Sequence, residues 1–346
     1  MKKIIFTGGG TGGHIYPNLA IMDLLKNQYK IVYIGSKNSK EEKLVSPNYK
    51  FYGIDTVKLI RSLTPKNLLI PFKLLKSIHS AKQILKTERP DLIFSKGGFV
   101  SLPVVFAGNK LGIPCITHES DFSLGLANKL IKNKCQYVMT SFEPTSKNLK
   151  NGICTGSPIR KEILTANKEK FYSKYSIDGH KKNLLIMCGS LGSKTVNNYI
   201  LHNLKALTTQ FNVFHIVGNG NLSPTKMKNY YQIEYASDIQ NLIAGADIVI
   251  TRGGSNSLFE LLSLKKPILI IPLSKKQSRG DQILNANYLH SLQVANTLYE
   301  EDFENVDLIS KINQTIKNKD MYIKNMKKLQ ICGNDNIINI IKNVLS

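Results

Sequence analysis

The sequence predicts an α/β protein made of two Rossmann-like parallel-sheet domains facing across a cleft. Three observations predict it. Short β-branched runs alternate with longer amphipathic segments, which is the spacing of strands and crossover helices in a parallel sheet. The alternation stops in a polar, Lys-rich, helix-like stretch from Lys161 to Lys182 and then begins again. Each series opens on a strand running into glycines, Gly8 to Gly13 and Gly189 to Gly192. Each later repeats a strand followed by a Gly-Gly pair, Gly97-Gly98 and Gly253-Gly254.

Strands of the first series are expected at Lys3 to Thr7, Ile31 to Ile34, Asp91 to Phe94, Pro114 to Thr117 and Tyr137 to Thr140; those of the second at Asn183 to Met187, Val213 to Val217, Ile248 to Thr251 and Pro267 to Ile271. The boundary is set after Gly156-Ser157-Pro158. This gives an N-terminal domain over 1–158, a C-terminal domain over 159–333, and an apolar helix over 334–346 that docks back onto the first domain. A length of 346 residues fits two domains of similar size.

Composition narrows the function. With 42% hydrophobic residues the chain is neither fibrous nor disordered. No apolar run approaches the roughly 18–20 residues of a spanning helix, and Met1-Lys2-Lys3 leads into a strand rather than a signal-peptide core, so a non-secreted, non-spanning protein is expected. Five separated cysteines with no CxxC pair fit reduced thiols. The formal charge of +23 calls for an anionic partner or surface. Only 5 of the 47 basic residues are Arg, and no helix-turn-helix, zinc-finger or RNP-type motif is visible, which speaks against base-reading nucleic-acid binding.

The glycine loops carry the chemistry. Gly8-Gly9-Gly10-Thr11-Gly12-Gly13-His14 follows a strand and precedes a helical segment, so its backbone N–H groups can approach a phosphate at a positive helix end. The GxGxxG spacing raises a dinucleotide site, but the second strand ends Ile34-Gly35-Ser36-Lys37 without the acidic residue that would hold a ribose. A P-loop also fails, because no Gly-Lys-Ser/Thr follows. His14, where loop becomes helix, can take a proton from an attacking hydroxyl, or simply bond its own loop. In the second half, Cys188 to Ser193 and Thr251 to Glu260 read as phosphate or sugar-nucleotide loops at helix N-termini, or equally as tight turns. Glu260, one turn into its helix, can accept hydrogen bonds from ribose hydroxyls. No Asp-x-Asp pair or HExxH spacing calls for a metal.

Taken together, GGGTGGHIYPNLAI from Gly8, SKGGFVSLPVVFAGNKLGIPCITHES from Ser95, GLANK from Gly125, TGSPIR from Thr155, CGSLGSKTVN from Cys188, TRGGSNSLFEL from Thr251 and DQILNA from Asp281 resemble the MurG family of GT-B-fold glycosyltransferases of peptidoglycan synthesis. The resemblance spans most of the chain. It implies inverting, metal- and cofactor-independent transfer of N-acetylglucosamine from UDP-N-acetylglucosamine to the MurNAc C4 hydroxyl of undecaprenyl-pyrophosphoryl-MurNAc-pentapeptide (lipid I), giving lipid II and UDP. It implies that Thr11, Gly12 and Gly13 line the cleft, with His14 and Glu119 as catalytic candidates. Asp121, Arg160, Ser190, Asn197, Ala236, Arg252, Gly254, Ser255, Asn256, Ser257, Glu260 and Gln282 would contact the UDP-sugar, Glu260 through the ribose and Gln282 through the sugar hydroxyls.

Two departures stand out: the family's HEQN is His118-Glu119-Ser120-Asp121 here, and its GGYVS aromatic is Phe99. Diacylglycerol glycosyltransferases and UDP-N-acetylglucosamine 2-epimerases are the rival enzyme readings. A lipid-borne acceptor needs a membrane-facing surface. Arg61 to Lys86, which interleaves Leu63, Leu68, Phe72, Leu75 and Ile78 with Lys66, Lys73, Lys76 and Lys82, fits peripheral contact with the anionic cytoplasmic leaflet, or a packed helix with a solvated Lys face.

Overall fold

The computed structural model describes residues 1–56, 70–175, 177, 179–189, 191–275 and 280–346. Two compact units are present, Met1–Arg160 with Cys332–Ser346, and Lys161–Ile331. Each is a Rossmann-like parallel sheet flanked by helices.

The first unit runs β1 (Lys3–Thr7), α1 (Gly12–Leu25), β2 (Lys30–Ser36), α2 (Lys40–Val45), β3 (Lys50–Ile54), α3 (Ile70–Glu88), β4 (Leu92–Ser95), α4 (Ser101–Lys110), β5 (Cys115–Glu119), α5 (Leu126–Ile131), β6 (Tyr137–Thr140), α6 (Glu143–Lys147) and β7 (Gly152–Cys154). Its strands lie in the order β3-β2-β1-β4-β5-β6-β7 and pair in parallel throughout. Side chains alternate across the pleat. Ile5 and Ile93 join Ala81, Leu85, Val104 and Ile131 on one face, while Ile4, Phe6, Leu92 and Phe94 join Ile15, Ile21 and Leu25 on the other.

The second unit contains α7 (Lys161–Leu164), α8 (Lys168–Lys174), β8 (Lys182–Met187), α9 (Lys194–His202), α10 (Leu204–Gln210), β9 (Phe211–Ile216), β10 (Tyr230–Ile233), α11 (Ile239–Gly245), β11 (Ile248–Thr251), α12 (Ser255–Ser263), β12 (Ile268–Ile270), α13 (Asp281–Ser291), β13 (Asn296–Thr297), α14 (Leu308–Lys317) and α15 (Lys319–Met326). The sheet order is β10-β9-β8-β11-β12-β13, again all parallel. Both sheets therefore reverse direction between their first strand and the fourth, β1/β4 in one and β8/β11 in the other. Ligands of doubly wound sheets bind outside the carboxyl ends of strands at such a point.

The last helix, α16 (Asn334–Leu345), belongs to the first unit and buries Ile337, Ile341 and Leu345 against the face carrying Ile4 and Phe6. At about 1.5–3 kcal/mol per buried aliphatic side chain, this face alone holds the helix in place. Asn334 adds a reciprocal clamp on the crossover segment: its Oδ1 accepts from Ile159 N and its Nδ2 donates to Ile159 O, both at 2.9 Å. The strands at Lys50–Ile54, Gly152–Cys154, Tyr230–Ile233 and Asn296–Thr297 were not among those expected from the sequence. They are short or broken by polar residues, and the sheet edge rather than local pattern selects them.

Candidate functional site

In the first unit the loop after β1 lies against the loop after β4. Gly98 has φ +80°, and a Cβ there would collide with the carbonyl oxygen of Gly9, so this contact is made backbone to backbone. Thr11 is the N-cap of α1 but makes no capping hydrogen bond, and it is exposed. The Thr11 side chain thus leaves the first turn, with Gly12 and Gly13, uncapped by the N-cap residue itself. His14 follows, with Nδ1 3.0 Å from the main-chain oxygen of Lys96. A carbonyl only accepts, so Nδ1 carries the proton in the neutral ring and the lone pair falls on Nε2. The sequence GSPIR ends nearby: the Arg160 guanidinium lies 5.6 Å from the ring centre of Tyr16, on α1.

At the end of β5, Glu119 is buried with both carboxylate oxygens engaged. Oε1 accepts from Asp121 N at 3.1 Å, and Oε2 from Gly125 N at 2.8 Å and Asn128 Nδ2 at 2.9 Å. Burial pushes its pKa up, and the Asp121 charge adds to the rise, while these hydrogen bonds and Lys96 oppose it. Glu119 thereby organises the turn from 120 to 125 that leads into α5. The side chain of Lys96 is fully buried and donates to Ser120 Oγ at 2.5 Å. Burial lowers its pKa to about 8, against the pull of Glu119 and Asp121. His118 donates through Nε2–H to Gly156 O, 2.9 Å away, and burial with the nearby Lys96 charge holds its pKa well below the usual range.

In the second unit the loops after β8 and β11 border an open pocket of about 380 Å³. Arg252, Gly254, Ser257 and Gln282, all expected at the donor, line it together with Cys188, Gly189, Gly192, Ser193, Lys194, Thr195, Thr251 and Leu273. A Cβ on Gly189 or Gly254 would meet no protein atom within 4 Å, so these glycines keep space open rather than relieve packing. Gly253 is different: a Cβ there would stand 2.5 Å from Gln282 O. Gln282 secures this contact, its Oε1 accepting from Gly253 N at 3.1 Å and from Leu273 N at 3.0 Å. Arg252 is braced within the protein, by an ion pair to Glu300 at 2.7 Å, by the carbonyls of Ile271 and Pro272 at 3.3 and 3.4 Å, and by Ser193 Oγ at 2.5 Å. The first turns of α9 and α12 meet at this pocket, and two helix N-termini converging on one space provide N–H groups and positive potential for a diphosphate.

Other expected residues of this unit do not line the pocket. Ser255 and Asn256 form the start of α12, with Glu260 farther along it and buried; Ala236 sits between β10 and α11. Asn197 is buried beneath the loop, donating to Val217 O at 2.9 Å and bonding His215 Nε2 at 3.1 Å. Ser190 lies outside the described residues, as do Arg61, Leu63, Lys66 and Leu68 of the expected membrane segment. The sequence reading placed Ser193 in a phosphate or sugar-nucleotide loop but passed over Lys194 and Thr195, which line the pocket beside it, although polar residues straight after a glycine loop were a signal for them. It also passed over Lys96, whose burial only the fold reveals.

The family model described as "Glycosyltransferase family 28 N-terminal domain" matches residues 4–140, and the one described as "Glycosyltransferase family 28 C-terminal domain" matches 183–340. Curated relatives named UDP-N-acetylglucosamine--N-acetylmuramyl-(pentapeptide) pyrophosphoryl-undecaprenol N-acetylglucosamine transferase include one from Clostridium botulinum strain Langeland, 44% identical over an alignment of 350 residues that covers 99% of both chains. Another, from Clostridium tetani, is 43% identical over 349 residues, covering 99% of this chain and 98% of its own. Among solved structures, MurG of Acinetobacter baumannii shares the fold with a TM-score of 0.79 at 23% identity, covering 99% of this chain and 100% of its own. The S. aureus MnaA-UDP co-structure does so at 0.67 and 13% identity, covering 100% and 97%. With both halves of the chain matched in order and full-length relatives above two-fifths identity, this protein belongs to glycosyltransferase family 28.

Proposed function

We propose that this enzyme transfers N-acetylglucosamine from UDP-N-acetylglucosamine to the MurNAc C4 hydroxyl of undecaprenyl-pyrophosphoryl-MurNAc-pentapeptide, releasing UDP and forming a β-1,4 bond with inversion. The observation that carries this reading is full-length identity of 44% to curated relatives named for that reaction. In this reading the pocket bordered by α9 and α12 takes the donor. Its helix N-termini meet the charge that grows on the leaving diphosphate, Glu260 holds the ribose, and Gln282 addresses the sugar. His14, with Nε2 as the basic nitrogen, accepts the proton of the attacking hydroxyl. Glu119 shapes the acceptor-side turn instead of exchanging protons.

The acceptor's lipid stays in a bilayer, and no helix among the described residues is long and apolar enough to cross one. Peripheral contact is proposed at the start of α3, where Phe72 and Leu75 are 73% and 59% exposed beside Lys73 and Lys76. The decisive assay supplies labelled UDP-N-acetylglucosamine with purified lipid-linked acceptor. Label appearing in the lipid product, with UDP release dependent on acceptor, supports the reading. Acceptor-independent UDP release with epimerised sugar sinks it in favour of an epimerase.

A further inference from the structure

Lys96 lies below the surface at the end of β4 and bonds two separate parts of the first unit. Its carbonyl oxygen accepts from His14 Nδ1, and its ammonium donates to Ser120 Oγ at 2.5 Å. Ser120 is flanked by Glu119 and Asp121, and Glu119 in turn accepts the backbone N–H of Asp121. The side chain is 1% exposed, and Ser120 is its one hydrogen-bond acceptor among the described residues. An alkyl ammonium so deeply buried is costly unless neighbouring anions compensate it. Two carboxylates, Glu119 and Asp121, attract it.

We propose that Lys96 is a positioning residue for the transfer reaction: it locks the turn bearing Ser120 to the loop bearing His14, and its charge is the counterion that allows the Asp121 carboxylate in that turn. This rests on the reading of His14 as the acceptor's base. The groups facing the ammonium are Glu119 and Asp121 from the end of β5 and the turn after it, His118 from β5, and His14 from α1 through the shared carbonyl. Removing the ammonium withdraws a positive charge that favours the ionised Glu119, so protonation of Glu119 moves to higher pH, whereas removing the Asp121 charge moves it back; His118 is relieved of a like charge.

The test measures kcat, pH profile and UDP affinity of the full chain for Lys96→Met, which keeps the carbonyl but not the charge, and for Lys96→Met combined with Asp121→Asn. The expected result for Lys96→Met is a fall in kcat of about 10–100-fold, the scale of a small misplacement of reacting groups, with UDP affinity unchanged. The acid limb of the profile should shift upward, and adding Asp121→Asn should recover most of both losses. Wild-type kcat and profile in Lys96→Met overturn the proposal, as does a kcat loss that Asp121→Asn does not relieve. Ser120→Ala guards against misfolding of the first variant: it removes the ammonium's hydrogen-bond acceptor and should lower kcat about threefold to tenfold, on the same scale, while wild-type kcat there counts against the lock. His14→Ala is assayed in parallel, because wild-type turnover in that variant defeats the reading of the base separately from the role of Lys96.

Discussion

The ring of His14 is held from below by the main-chain oxygen of Lys96, 3.0 Å from Nδ1. Since the partner is backbone, the tautomer that leaves Nε2 basic is set by the fold and survives side-chain changes at position 96. Replacing His14 by Ala is therefore expected to lower kcat by about 100–10,000-fold, the usual worth of a positioned base. UDP affinity, measured by calorimetry, should stay as in the wild type because the pocket proposed for the donor is lined by residues of the other unit.

Gln282 has one role seen in the structure and one proposed. Its Oε1 ties Gly253 and Leu273 together, and its amide N–H₂ is the end that can address a sugar hydroxyl. Gln282→Glu keeps an acceptor for both backbone N–H groups, so the thermal midpoint should hold while KM for the donor rises about tenfold or more, as for a lost hydrogen bond to a polar substrate group. Gln282→Ala should depress both the midpoint and the donor affinity. An unaltered donor KM in both variants would remove Gln282 from the site.

His215 is buried between two partners, Nε2 at 3.1 Å from Asn197 Oδ1 and Nδ1 at 3.1 Å from Tyr230 OH. The amide oxygen must accept from Nε2–H, so in the neutral ring Nδ1 accepts from the phenol. Burial lowers its pKa to about 4. The folded value lies below the unfolded one, so the unfolded chain binds the extra proton first and stability falls as pH drops from about 6.5 towards 4. His215 accounts for about 3 kcal/mol of that fall at most, and His118, also held neutral by burial, acts in the same direction. Urea midpoints followed by circular dichroism across this range should flatten in His215→Gln. An equally steep dependence in that variant would contradict the assignment.

Flotation with vesicles tests the start of α3. Binding to anionic vesicles should exceed binding to neutral ones and weaken with salt, at about 1 kcal/mol per basic group near the surface. Phe72→Glu with Leu75→Glu should abolish most of it while leaving UDP binding intact, since these exposed side chains brace nothing in the core. Equal recovery with neutral and anionic vesicles would remove the membrane reading.

The amino-acid sequence alone determined the two parallel-sheet halves, because β-branched runs, crossover helices and glycine loops are local patterns whose period and order are written along the chain. It pointed to Arg252, Gly254, Ser257 and Gln282 through motif order and resemblance, and the fold gathers these four at one pocket. What it could not specify is which polar residues are spent inside the protein. Arg252 lines the pocket and is at the same time braced by Glu300, Ser193 and two carbonyls, contacts no local pattern foretells. Asn197 reads as a site residue and serves His215 and Val217. Lys96 reads as an ordinary lysine and is among the most buried side chains in the chain. Those assignments depend on contacts between residues tens of positions apart, and on desolvation, a property of the surrounding packed volume that no local stretch of sequence contains.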